Sequence, residues 1–183
     1  MTGEVVMQAK IEAGPGGVTI AYSLTNTGAA PILVFDRMWD SQAQALDPNW
    51  AYVEIRSGRA LVKRMMENPP PGLHVSEPKV PYGREIAPGA KAEGVITLSA
   101  PLTERGAYDS FTHRSKQFAD TRVTAIGFAL GYAGKPTNLP PAFKTVELNG
   151  EKLLLLNRPL VASLQRTATS EPASASVDAK VKQ

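Results

Sequence analysis

From Val18 to Thr25 the chain alternates without a break: Val18, Ile20, Tyr22 and Leu24 are separated by Thr19, Ala21, Ser23 and Thr25. A period of two marks a strand with one buried and one solvated face. Asn26-Thr27-Gly28 interrupts the run, and after Pro31 the block Ile32-Leu33-Val34-Phe35 is apolar on both faces, as in a strand inside a sheet. These two strands are expected at the centre of a β-sandwich. An earlier strand alternates Val5, Met7, Ala9 and Ile11 with polar or mixed residues, and Gly14-Pro15-Gly16-Gly17 turns it into the Val18 strand.

Two hairpins are legible with their registers. Ser57-Gly58 joins Ala51–Arg56 to Arg59–Met66. A two-residue turn there sets Ile55 against Ala60 and Val53 against Val62 on the buried side, with Tyr52 and Lys63 outside. It also sets Arg56 against Arg59, an unfavourable like-charge pair. Asn149-Gly150 suits the positive φ angles of a type I′ turn and sets Glu147 against Lys152 and Val146 against Leu153.

Other segments follow the same logic. Ala92–Ser99 reads as a strand after the turn at Pro88-Gly89. Arg122–Tyr132 reads as another, with Ile126, Phe128, Leu130 and Tyr132 on one face. Val123, Ala125, Gly127, Ala129 and Gly131 form the other face, and the small residues at alternate positions predict close approach of a further layer. Glu67–Gly83 is Pro-rich and reads as a stiff connection with polyproline II character. From Arg166 the composition turns to Ser, Thr, Ala and Lys, and the expectation is disorder. The pattern thus predicts an all-β, immunoglobulin-like antiparallel sandwich of eight to ten strands over residues 1–165. Two long loops (37–50 and 100–120) interrupt it, and a disordered tail covers 166–183.

Composition adds limits. The 183 residues suffice for one domain. No apolar run approaches the ~20 residues that span a bilayer, so no membrane insertion is expected. Of the net charge of +3, one unit comes from the tail, and the body carries no basic stripe that would single out nucleic acid. With no cysteine, disulfides and thiolate chemistry are excluded. The N-terminus lacks the basic-then-apolar order of a signal peptide. The protein is cytoplasmic on that reading, or periplasmic or in the cell envelope if a signal peptide was removed.

The order of segments is similar to bacterial immunoglobulin-like domains of the BsuPI type, which are intracellular proteinase inhibitors. The residues that carry the resemblance are Leu24-Thr25-Asn26, Phe35-Asp36, the Gly-turned hairpin from Tyr52 to Arg64 and Pro88-Gly89 before a strand. It covers about the first hundred residues and implies the sandwich fold and, as a function, proteinase inhibition.

Candidate chemistry sits in the loops. Arg37–Trp50 holds Trp39, Asp40 and Trp50, which suit a sugar or peptide ligand by stacking and directed hydrogen bonds. The alternative is a Trp that plugs the sandwich end, with aspartates capping turns. Asp36, Asp40 and Asp47 match no calcium-loop spacing, and His74 and His113 fall in different loops, so no metal or cofactor is expected. Asp109, Ser110, His113, Ser115 and Asp120 crowd one loop without a nucleophile elbow, which argues against a catalytic triad. The same loop interleaves Tyr108, Phe111, His113 and Arg114, a composition suited to a protein interface or to a loop folded onto the core. The leading expectation is a non-catalytic module that binds a protein partner through Trp39, Asp40, Trp50, Tyr108, Phe111, His113 and Arg114. The alternatives are a proteinase inhibitor presenting Pro69–Pro81 as a rigid loop, and a carbohydrate- or peptide-binding accessory domain.

Overall fold

The structure is a computed structural model that describes residues 5–40, 43–75, 81–109, 117–135 and 144–183. Among these residues it is all-β apart from one seven-residue helix. A three-stranded sheet is built from β1 (Val5–Gly14), β2 (Gly17–Asn26) and, on the far side of β2, β9 (Lys91–Ser99). The β1–β2 hairpin closes from Gly14 to Gly17. Gly17 has φ +138°, and a β-carbon there would lie 2.0 Å from the Leu98 carbonyl oxygen, so this position is reserved for glycine.

The second sheet is larger. Its spine is β11 (Phe118–Gly134), 17 residues long. The C-terminal end of β11 pairs with β3 (Ile32–Arg37), and beyond it lie β8 (Tyr82–Ile86), β13 (Glu151–Leu155) and β12 (Lys144–Leu148). The middle of β11 pairs in parallel with β7 (Arg59–Arg64), which forms the hairpin with β6 (Tyr52–Arg56). The opposite edge of β11 carries β14 (Arg166–Thr169) and β15 (Ala173–Lys182), and β15 also pairs with the two-residue β10 (Leu102–Thr103). A bridge between Val53 and Arg105 joins the segment after β10 to β6. Hydrogen bonding therefore runs in a circuit from β11 through β7, β6, the 102–105 segment and β15 back to β11. This circuit ties down the first part of the long 100–120 segment.

Side chains of both sheets share one core. Val18, Ile20, Tyr22, Leu24 and Ile96 from the small sheet meet Ile32, Val34, Val62 and Phe128 from the large one. The rings of Tyr22 and Phe128 lie 4.9 Å apart across the interface. β2 and β3 are central to this core as expected, but they stand in facing sheets and do not pair with each other. Both hairpin registers are as the turns dictate, from Arg56↔Arg59 to Tyr52↔Lys63 and from Leu148↔Glu151 to Val146↔Leu153. Ser57 (φ 49°) with Gly58 (φ 72°), and Asn149 (φ 54°) with Gly150 (φ 76°), take the left-handed conformations that type I′ turns need. Arg56 relieves its like-charge partner by pairing with Glu54 at 2.5 Å.

Four expectations are corrected. The tail from Arg166 is not disordered: it forms β14 and β15, because Ala173, Ala175, Val177, Ala179 and Val181 alternate with polar residues and the edge of β11 gives them a ladder. The side chains are so small that the alternation is hidden in the overall composition. Tyr52, placed on the solvated side of its hairpin, is buried, because Met38, Ala107 and Tyr108 form a second small core over that face. The Pro-rich connection is not wholly extended: Pro70 to Leu73 closes a turn through a 3.1 Å hydrogen bond, with Gly72 at φ +81° as a type II turn requires. The helix, α1 (Arg158–Leu164), is capped by Asn157 Oδ1, which accepts from Leu160 N–H. On the small face of β11 the close approach is lateral: a β-carbon at Gly131 would stand 2.8 Å from Met65 Cβ, one residue past β7, and from Gln165 Oε1, one residue before β14. Val123, expected on that face, lies in the main core with Ile126, because the ladder to β15 shifts register between Val123 and Ala125.

Candidate functional site

The segment after β3 crosses the open edge of β9. Trp39-Asp40 (β4) and Ala45-Leu46 (β5) form a short ladder. Asp47 then organises a turn: its N–H donates to Met38 O at 3.0 Å, and its Oδ1 accepts from Asn49 N–H at 2.7 Å. Asn49 reaches β9, where its Oδ1 accepts from Thr97 N–H at 2.8 Å. β9 thus presents the backbone of its odd-numbered residues outward. Ala90, next to the strand, bonds back to Asn26, so the even positions face β2, while Glu93 and Thr97 bond to groups outside the sheet.

Beneath this margin lies a buried polar network. Asp36 is 1 % exposed. A carboxylate so placed needs charged and hydrogen-bonded partners. Tyr22 Oη donates to Asp36 Oδ2 at 2.9 Å, and Arg84 donates from Nε and Nη2 at 3.1 and 2.6 Å. Arg37 Nη1 stands 3.2 Å from the same carboxylate and forks onto Glu151 with contacts of 2.8 and 3.1 Å. Arg64, also buried, donates to Tyr22 Oη and to the carbonyls of Asp36, Pro48 and Trp50. Arg84 reaches Glu93 O on β9 at 2.9 Å, so the network spans both sheets.

The electrostatics follow from this arrangement. Burial, reinforced by the Asp36 charge, pushes the Tyr22 phenol up to about 12. Burial alone would weaken the Arg37 cation, but the bond to Glu151 and the nearby Asp36 outweigh it and its pKa moves upward. Arg105 moves the other way because burial dominates, despite Asp47 and Asp40 nearby.

Two clefts open along β9. One, of about 360 Å³, lies between Gly94-Val95 and Leu46–Pro48, with Tyr22 and Asp36 deep within and Arg37 and Glu151 at its rim. The other, of about 340 Å³, lies between Thr97–Thr103 and Asn49, Val53 and Arg105. The bond from Asn49 to Thr97 stands between them.

The structure separates the residues that the sequence grouped. Trp39 is half-buried and meets Tyr82 edge-on at 6.3 Å. Trp50 is half-buried with the Arg105 guanidinium 4.6 Å above its ring. The two indoles therefore take different partners and form no shared platform. Asp40 is half-buried in the short ladder with Ala45. Tyr108 is 4 % exposed and donates to Glu67 O at 3.0 Å, beside a cavity of about 630 Å³ lined by Met65, Met66 and Gln165. Phe111, His113 and Arg114 lie outside the described residues. In the Pro-rich segment offered as an inhibitor loop, 70–73 is the turn noted above, and 76–80 lie outside the described residues.

Sequence reasoning passed over Tyr22, Asn49, Arg64, Arg84 and Glu151. A signal existed for Arg64, which continues the inward series Ala60, Val62 and so had to carry a charge into the core. Comparison with protein-family models, with curated proteins and with solved structures found no match.

Proposed function

We propose that the protein is a non-catalytic β-sandwich module that recognises another protein at the β9 margin, through residues 45–50 and the two clefts they flank. One observation carries this reading: the Asp36 network fixes the walls of the margin from both sheets, so the clefts are held open before any ligand arrives. Pre-ordered walls reduce the entropy lost on binding. The same network argues for recognition over catalysis. Tyr22, Asp36 and Arg64 spend their donors and acceptors on one another, and a phenol with a raised pKa is a poor base near neutrality.

The test is hydrogen exchange on the full chain with binders selected from a random peptide display library. Protection is expected at residues 93–99 and 46–50. Binders that protect only other surfaces, or a selection that yields none, would count against the module.

A further inference from the structure

The outward edge of β9 already holds side chains in the places a neighbouring strand would occupy. The Arg84 guanidinium donates to Glu93 O at 2.9 Å, and the Asn49 carbonyl accepts from Thr97 N–H at 2.8 Å. Between them Val95 points its backbone outward and is 55 % exposed. An edge so placed is a template for strand addition.

The clefts lie beside Gly94 and Leu98, four residues apart on the same face of β9. Added-strand side chains at i and i+4 have that spacing, about 14 Å at ~3.4 Å per residue. The cleft beside Gly94 is acidic: four carboxylates (Asp36, Asp47, Glu93, Glu151) face two guanidiniums (Arg37, Arg64), an excess of two negative charges. Counting Arg84, bound to Asp36, the excess is one. Both lining guanidiniums are already committed to internal acceptors, and the Glu151 side chain remains 35 % exposed. This acidity is local, because the whole chain carries +3.

We propose that β9 accepts an extended peptide as a fourth strand of the small sheet, with a lysine or arginine side chain entering the cleft beside Asp47 and Glu151. The inference rests on the module reading above and names its partner. On binding, a peptide carbonyl replaces Asn49 at Thr97 N–H, and the cationic side chain occupies the acidic cleft. A second copy fits less well. In a two-fold pairing centred on Val95, Thr97 of one copy faces Glu93 of the other, so each copy's Asn49 turn would meet Arg84 of its mate.

The probes are three labelled nine-residue peptides in which threonine alternates with lysine, glutamine or glutamate. The protein's net positive charge favours the glutamate peptide non-specifically, so a lysine preference cannot come from net charge. The lysine peptide is expected to bind at least about tenfold tighter than the glutamate peptide. Val95→Pro, which removes an outward N–H and no ladder bond, should abolish binding while leaving the circular-dichroism spectrum unchanged. Asp47→Asn keeps the turn acceptor and should shrink the lysine preference. Equal binding of all three peptides, still lost in Val95→Pro, would overturn the charge selection and leave strand addition standing. Lysine-peptide binding indifferent to Val95→Pro, or no binding by any of the three, would overturn strand addition, and the exchange footprint then judges the module separately. A dimer in sedimentation that Val95→Pro dissociates would make a second copy the occupant and overturn the peptide.

Discussion

Gly94 lies directly across the β2–β9 ladder from Tyr22, and a β-carbon at Gly94 would stand 2.4 Å from the Tyr22 hydroxyl oxygen and 2.6 Å from Cζ. The missing side chain is what lets the phenol lie over β9 and reach Asp36. Gly94→Ala must push the ring away from its acceptor. The expected loss is about 1–3 kcal/mol, the usual range for overpacking a filled site. Urea unfolding measures it, and Gly134→Ala is the control because nothing stands within 4 Å there. Pairing Gly94→Ala with Tyr22→Leu should cost less than the sum of the two single changes. Strict additivity would show that the contact does not matter.

Among the described residues, Asp36 is the acidic group that Tyr22, Arg37 and Arg84 share. Asp36→Asn keeps the shape and removes the charge, leaving the Arg84 guanidinium without its counter-ion while Arg37 keeps Glu151. Breaking a buried pair from one side costs about 3–5 kcal/mol. Denaturant unfolding should register a loss of that size. A loss below about 1 kcal/mol, typical of an exposed pair, would mean that water reaches the network.

The phenols predict an alkaline limit. Tyr22 is raised to about 12, first by burial and then by Asp36, and Tyr52 and Tyr108 are raised mainly by burial. For a phenol the raised value favours the neutral form. Above pH ~10 the unfolded chain releases these protons while the folded chain keeps them, so stability is full below ~10 and falls as pH rises toward 12. For Tyr22 alone the loss across that window is about 2–3 kcal/mol at most. Ultraviolet difference titration should show late-ionising phenols, one fewer in Tyr22→Phe. Ionisation of every tyrosine near pH 10 would contradict the burial.

Local signals were legible in the sequence and long-range ones were not. Asn149-Gly150 and Ser57-Gly58 set their hairpin registers because turn chemistry acts within four residues. The alternation around Tyr22 identified the buried face of β2 for the same reason. The site depends on pairs that no local rule reaches: Arg37 meets Glu151 across 114 positions and Arg64 meets Tyr22 across 42. The 37–50 segment stood out because of its tryptophans, yet Asp47 and Asn49 do the joining, and the indoles point to separate neighbours. Composition misled most in the tail, where alanine and serine resemble a polar linker while keeping a period of two.

That tail supplies the remaining prediction. β15 pairs with β11 from Phe118↔Lys182 to Ile126↔Ala173 and buries Val177 and Ala179 in the main core. It also holds β10, and through Arg105 the edge of β6. Ending the chain at Gln165 would strip one edge of β11, uncover Val123 and Ile126 and open the hydrogen-bonded circuit. The truncated chain should melt far below the full chain or aggregate through the bared strand. Val177→Ala, a milder change, should cost about 2 kcal/mol. Thermal unfolding with limited proteolysis checks both. A truncated chain with an unchanged melting temperature, or rapid cleavage within 173–182 of the intact protein, would return the tail to disorder.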